Sequence, residues 1–240
     1  MRRVKVLCTG ISPLLMDPMS EETLEGIRTG NSPPQIKDRD VKEVAAGKIY
    51  RDDQGRIGLP VEMLFACLVG GGRKVKIGKT QLSTATTTCL PEYLSLNDFF
   101  LPFIGVTKAN EKSMWKVDKR RGVGQTGVAV CIVRPRFEQW SFEVIVEHNE
   151  RTMNEKTLRK LFEVAGTGQG LGSFRPSKKG PFGRFGITSI TDITPTEWLT
   201  TNESEDETVG DEETNTGGNG DSVVALPHES RISQMAEAGA

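Results

Sequence analysis

Residues 164–187 combine seven glycines with four basic side chains and three phenylalanines. Basic side chains neutralise phosphates, and phenylalanine rings offer faces on which bases stack. Glycines let the backbone approach a ligand and leave a row of N–H donors open to an anion. The segment therefore predicts a polyanion site, most simply for single-stranded nucleic acid. The predicted contacts are Gly168, Gly170, Gly172, Phe174, Arg175, Lys178, Lys179, Phe182 and Arg184.

Two further basic runs would extend such a site. The first run, which holds Arg73, Lys74 and Lys76, follows a predicted helix. The second, residues 116–125, is predicted to be a glycine-containing loop. For either run alone, a solvated surface is the simpler interpretation. Together with their glycine-rich flanks, they favour a groove that follows a phosphate backbone. Contacts are predicted from Arg73, Lys74, Lys76, Lys119, Arg120 and Arg121.

The charge is divided unevenly along the chain. Residues 200–240 hold ten acidic residues and one basic residue, which leaves 22 acids and 30 bases in residues 1–199. This predicts a basic nucleic-acid-binding domain, residues 1–194, followed by a disordered acidic tail, residues 195–240. We expect the tail to compete for the basic groove or to bind a protein partner.

The composition disfavours several classes of chemistry. Four widely spaced cysteines predict buried free thiols in a reducing compartment. With only two histidines, a zinc site or a histidine-dependent triad is hard to assemble, and His148 is expected on the surface at a strand end. No apolar run is long enough to span a bilayer. We expect a cytoplasmic protein with no cofactor, no bound metal and no membrane partner.

The hydrophobic pattern predicts an α+β fold. Alternation at Val4, Val6 and Cys8 indicates a first strand, and a helix is expected from Pro60 to about Leu68, ended by three glycines. Strands at residues 128–133 and 140–146 are predicted to pair as a hairpin. A helix at residues 154–164, the glycine-rich loop and a last strand complete a ferredoxin-like βαββαβ order.

Two stretches resemble a known family. The loop from Gly168 to Gly186, GQGLGSFRPSKKGPFGRFG, resembles the glycine-rich loop of the RAMP superfamily. Residues 57–68, IGLPVEMLFACL, resemble its helix introduced by proline after the first core strand. The family comprises RNA-binding proteins of CRISPR effector complexes, both backbone subunits and crRNA-processing ribonucleases. The resemblance implies a modified ferredoxin-like (RRM/RAMP-like) antiparallel sheet with two helices, inserted loops and a glycine-rich loop.

The resemblance favours a non-catalytic protein that binds single-stranded nucleic acid, RNA before DNA, and that self-associates along the strand. The short chain and the acidic tail would fit a relative carried by a phage or mobile element. One alternative is a virion or assembly protein without affinity for nucleic acid. Another is a RAMP-type endoribonuclease, which would need His148 or a loop aspartate such as Asp38 or Asp40.

Overall fold

The computed structural model describes residues 1–31, 40–123, 127 and 129–193. The acidic tail, the proposed domain boundary at residue 194 and Asp38 lie outside these ranges. The helices are α1 (Glu21–Thr29), α2 (Val41–Ala46), α3 (Val61–Gly72), α4 (Leu90–Tyr93), α5 (Glu111–Met114) and α6 (Glu155–Gly168). The strands are β1 (Arg2–Gly10), β2 (Leu14–Leu15), β3 (Gly58–Pro60), β4 (Lys76–Ile77), β5 (Thr80–Gln81), β6 (Leu94–Leu96), β7 (Phe100–Pro102), β8 (Trp115–Val123), β9 (Ala129–Phe137), β10 (Ser141–His148) and β11 (Phe185–Asp192).

The central sheet has the strand order β11-β1-β10-β6, and every neighbouring pair is antiparallel. Numbered along the chain, these four strands have the order 4-1-3-2, with α3 after the first strand and α6 after the third. This is the ferredoxin-like arrangement, so the predicted α+β fold class is confirmed. Buried residues on one face of β1, Val4, Val6 and Cys8, join the core with Leu158 and Phe162 of α6.

The predicted hairpin of residues 128–133 and 140–146 is wrong. β9 pairs with β8 and β2 in a separate three-stranded sheet, whereas β10 pairs with β1 and β6. The second core strand is therefore the short β6 and not β9. Phe142, Val144 and Val146 place β10 in the central sheet, because their alternation matches the buried face of β1.

The run predicted to be a basic loop is instead a strand over most of its length. β8 pairs with β9 over nine residue pairs, from Trp115↔Phe137 to Val123↔Ala129. We call this two-stranded element the ribbon. β2 joins it at one end, where Leu14 lies opposite Phe137.

The three glycines expected to end α3 form its last turn, and the helix ends at Gly72. A Cβ at Gly71 would lie 2.7 Å from the Cβ of Ala165 in α6, and Cys67 Sγ donates to the Ala165 carbonyl at 3.4 Å. A Cβ at Gly72 would lie 2.7 Å from Ser83 Oγ. The glycines therefore also allow the end of α3 to pack closely against its neighbours.

The glycines at the end of α6 allow a matched stability test. A Cβ at Gly166 would lie 2.2 Å from the carbonyl oxygen of Phe185, whereas a Cβ at Gly168 meets nothing within 4 Å. We expect Gly166→Ala to lower the free energy of unfolding by about 1–3 kcal/mol. Gly168→Ala should raise it by about 0.5–1 kcal/mol, since alanine is the better helix residue. Urea denaturation measures both, and equal midpoints would contradict the close α6–β11 contact.

Candidate nucleic-acid interface

One face of the ribbon carries most of its cations. Residues opposite each other in an antiparallel pair share a face, so Lys116, which lies opposite Arg136, shares this face with Arg120 and with Arg134, which lies opposite Asp118. The buried Asp118 accepts hydrogen bonds from Arg120 Nε at 2.8 Å and Nη2 at 3.0 Å. These bonds raise the pKa of Arg120. Arg134 pairs with Asp17 and Arg136 with Glu138, so carboxylates hold three of the four cations in place.

The glycine-rich loop, residues 169–184, folds back on itself. Gly170, Gly172 and Gly183 each have φ of 70°, a left-handed conformation that favours glycine. A Cβ at Gly183 would lie 1.9 Å from the carbonyl oxygen of Leu171. The glycines are therefore required by the path of the loop.

The N–H groups of the loop are engaged inside the protein. Gly170 donates to the Ala165 carbonyl at 3.0 Å and Gly172 donates to Met63 Sδ at 3.3 Å. Both glycines are buried. The expectation of a row of exposed donors is wrong at these positions, and Gly168 belongs to the last turn of α6. Side chains, and not these amides, are what the loop offers to a ligand.

Arg120 joins the ribbon to the loop. Its guanidinium carbon lies 4.6 Å from the ring centroid of Phe182 and 5.9 Å from that of Phe174. The two rings are 6.0 Å apart with an interplanar angle of 36°. Phe182 is only 8% exposed and packs, whereas Phe174 is 38% exposed and has φ of 50°. Phe174 thus presents an exposed ring close to a cation, on a residue whose φ is rare for a side chain other than glycine.

Arg175 is held by the loop. Its Nη1 donates to the Gly172 carbonyl at 2.7 Å and its Nε donates to Ser177 Oγ at 3.0 Å. With Met63 and Cys67 of α3 it lines a cavity of about 400 Å³. Arg175 therefore has a positioning role in the loop in addition to its charge.

The remaining predicted cations fall into three groups. Lys178, Lys179 and Arg184 are exposed on the loop, and Lys119 and Arg121 are exposed on the other face of the ribbon. Arg73, Lys74 and Lys76 are exposed beyond the C-terminal end of α3. We define the ribbon–loop surface as the cationic face of the ribbon together with the basic and aromatic side chains of the loop, which meet where Arg120 contacts Phe174 and Phe182. Its residues are Lys116, Arg120, Arg134, Arg136, Phe174, Arg175, Lys178, Lys179, Phe182 and Arg184.

The open face of the central sheet has a different character. On it, Arg3 pairs with Glu147 at 3.1 Å and Lys5 pairs with Glu143 at 3.7 Å. The other positions of this face on β1 and β10 are Leu7, Thr9, Ser141 and Ile145. On β1 and β10, this face therefore carries charged, polar and aliphatic residues.

The residues considered for catalysis have structural partners. His148 is buried, with Nδ1 2.8 Å from the Met153 carbonyl, so its expected surface position is wrong. It continues the core-facing alternation of β10. Asp40 caps α2 by accepting from the Lys42 N–H at 3.2 Å, and Asp17 lies 2.7 Å from both Lys48 and Arg134. Within the described ranges, no three His, Cys, Asp or Glu side chains are grouped to hold a metal ion.

The four thiols differ in accessibility, and the expectation that all are buried is wrong for Cys131, which lies exposed on the ribbon. Burial raises the pKa of Cys67 to about 12 and raises that of Cys8 as well. We expect a maleimide at pH 7.5 to modify Cys131 first, since a raised pKa leaves little thiolate. Peptide mapping of a time course measures the order. Modification of Cys8 or Cys67 before Cys131 would contradict the burial of Cys8 in β1 and of Cys67 in α3.

No helix in the described part of the chain is long and apolar enough to cross a membrane.

No protein-family model matches the sequence, and no curated protein matches it. Among solved structures, the chain is similar to one from a cryo-EM structure of the Type III-B Cmr-beta bound to cognate target RNA. The two are 12% identical with a TM-score of 0.44, and the match covers 80% of this chain. This chain spans 61% of the length of that one.

Proposed function

We propose that the protein binds single-stranded nucleic acid, RNA before DNA, on the ribbon–loop surface and does not cleave it. The observation that carries this proposal is the position of Arg120 over Phe182 and beside Phe174. This contact places the cationic face of the ribbon next to the exposed Phe174 ring of the loop. Phosphate neutralisation and base stacking are thereby available side by side.

The cations and the aromatic ring of the ribbon–loop surface would contact different parts of the nucleic acid. The exposed cations Lys116, Lys178 and Arg184 suit the phosphate backbone. The ring of Phe174 suits a base of any identity, because every base has a π-face. Binding of this kind is strongly salt-dependent and has little sequence preference.

The preference for RNA and a RAMP-like ancestry are part of the same proposal. They rest on the loop sequence and on two placements in the fold. The loop lies directly before the last strand of a ferredoxin-like sheet, and Pro60 precedes α3, which follows the first core strand in the chain. The structural partners of His148, Asp17 and Asp40 support binding without cleavage.

Fluorescence anisotropy with labelled 30-mers of poly-U and poly-dT, over a salt series, tests the proposal. We expect both to bind, poly-U more tightly, with an affinity that falls linearly in log–log plots against salt. The poly-U recovered after incubation with and without Mg²⁺ should run at full length on a denaturing gel. Absence of binding to either strand at low salt would overturn the proposal in favour of an assembly protein, and shortened RNA would show an endoribonuclease.

A further inference from the structure

A small hairpin after α3 carries an exposed group of cations. β4 and β5 pair around a turn in which Gly78 has φ of 60°. Val75 and Leu82, each 1% exposed, anchor the hairpin in the core. Gln81 Nε2 also donates to the Arg73 carbonyl at 3.1 Å. We call residues 73–81 the basic hairpin, and its exposed cations are Arg73, Lys74, Lys76 and Lys79.

The described residues leave the four cations of the basic hairpin without an ion-pair partner. In the described part of the chain none of the four has a carboxylate within 4.0 Å, whereas Arg120 and Arg134 of the ribbon are paired with Asp118 and Asp17. The sequence has no acidic residue from position 63 to 91. The end of α3 favours nearby cations, but Lys76 and Lys79 lie beyond its last turn. The hairpin therefore presents four positive charges close together, and Val75 and Leu82 anchor it in the core.

The neighbourhood of the basic hairpin suits phosphate oxygens and not base faces. No aromatic residue occurs from position 66 to 92. Thr84, Thr86 and Thr87 are exposed nearby. Cations and hydroxyls without rings contact the sugar-phosphate backbone, which is alike in single strands and duplexes.

The basic hairpin and the ribbon–loop surface are built on different elements of the fold. The hairpin consists of β4 and β5 and follows the end of α3. The ribbon–loop surface is carried by β8, β9 and the glycine-rich loop, which leads into β11 at Phe185.

Backbone and side-chain contacts fix the base of the hairpin on two sides. The Leu82 carbonyl accepts from the Cys89 N–H at 3.1 Å, directly before α4. On the other side, a Cβ at Gly72 would lie 2.7 Å from Ser83 Oγ, and a Cβ at Gly71 would lie 2.7 Å from the Cβ of Ala165 in α6.

We propose that the basic hairpin is a second nucleic-acid site, which binds the phosphodiester backbone of either a single strand or a duplex. One protein molecule then bridges two segments, with one on the ribbon–loop surface and the other on the hairpin. The bridging rests on the proposed function of the ribbon–loop surface.

A capture experiment tests the second site. The full-length protein is bound to bead-immobilised poly-U 30-mers, and an excess of a fluorescent 20-base-pair duplex is added. Wild type should retain duplex on the beads. The variant Arg73→Gln/Lys74→Gln/Lys76→Gln/Lys79→Gln should lose at least about 80% of that duplex, while its affinity for poly-U changes less than about threefold. A matched variant, Lys108→Gln/Arg151→Gln/Lys156→Gln/Lys160→Gln, removes four exposed charges elsewhere and should behave as wild type.

The outcomes separate the two proposals. Wild-type levels of retained duplex with the hairpin variant would overturn the second site and leave the ribbon–loop proposal intact. Failure of wild type to bind poly-U would overturn the proposed function, and duplex anisotropy with the same variants would still report on the hairpin. If the hairpin variant lost binding to an acidic peptide, ESEDETVGDEE, but not to duplex, the second site would be a protein-binding surface and the proposal would fall.

Discussion

Removing three exposed charges from the ribbon–loop surface, as Lys116→Gln/Lys178→Gln/Arg184→Gln, lowers the affinity for a poly-U 30-mer roughly 10- to 100-fold at 0.15 M salt. Each cation that neutralises a phosphate of a single strand contributes about 0.7 to the slope of log affinity against log salt. Three lost contacts therefore make the slope shallower by about 2. Anisotropy titrations at four or more salt concentrations measure both quantities.

The matched control removes the same charge from another place. Arg151, Lys156 and Lys160 are exposed near the start of α6 and on its outer face. Their triple replacement by glutamine should leave the salt slope within about 0.5 of the wild-type value. If both triple variants weakened binding equally, the affinity would depend on net charge alone, and the ribbon–loop surface would have no special role.

We expect replacement of Phe174 by alanine to weaken poly-U binding through the loss of base stacking and not through the loss of charge. Stacking on an aromatic side chain contributes about 1–3 kcal/mol per base, which corresponds to roughly 5- to 150-fold in affinity. Because no phosphate contact is lost, the salt slope should stay at its wild-type value. Phe174→Tyr keeps the ring and should restore wild-type affinity.

A spectroscopic signal separates stacking from loop stability. Strands containing 2-aminopurine should lose fluorescence when wild type or Phe174→Tyr binds, and retain it with Phe174→Ala. Thermal unfolding of Phe174→Ala tests whether the loop still packs through Phe182. Equal quenching by the alanine variant would mean that Phe174 does not touch a base.

Much of the fold could be predicted from local pattern. The alternation of Val4, Val6 and Cys8 gave β1 its buried face, and the apolar spacing of Leu158, Leu161 and Phe162 gave α6 its packing face. The order of elements then led to the correct α+β class. These signals are strong because each covers two turns or several alternations within one element.

The wrong predictions concern segments whose structure depends on contacts with a neighbouring element. β6 has only three residues, too few for a periodic signal, so its place as second core strand was missed. β8 has charges on both faces, and only its nine-residue register with β9 makes it a strand. The glycines at the end of α3 were predicted as a helix end, but the sequence could not show that the contact of Gly71 with Ala165 also requires a small residue there.

Only part of the candidate surface could be described from the sequence, for the same reason. Phe174, Lys178, Lys179 and Arg184 follow from the composition of one exposed loop. The sequence could not show that Arg120 reaches Phe182, since the two residues are brought together only by the way the ribbon and loop pack. Nor could it separate Phe182, which packs, from Phe174, which is exposed.

The most direct test of the ribbon–loop surface is photo-crosslinking of a 30-mer RNA that carries 4-thiouridine, followed by peptide mapping of the crosslinked sites. Crosslinks are expected within residues 115–123, 129–137 and 169–184, with Phe174 among them, and they should be lost in high salt. Crosslinks confined to the open face of the central sheet, on β1 and β10, would contradict it.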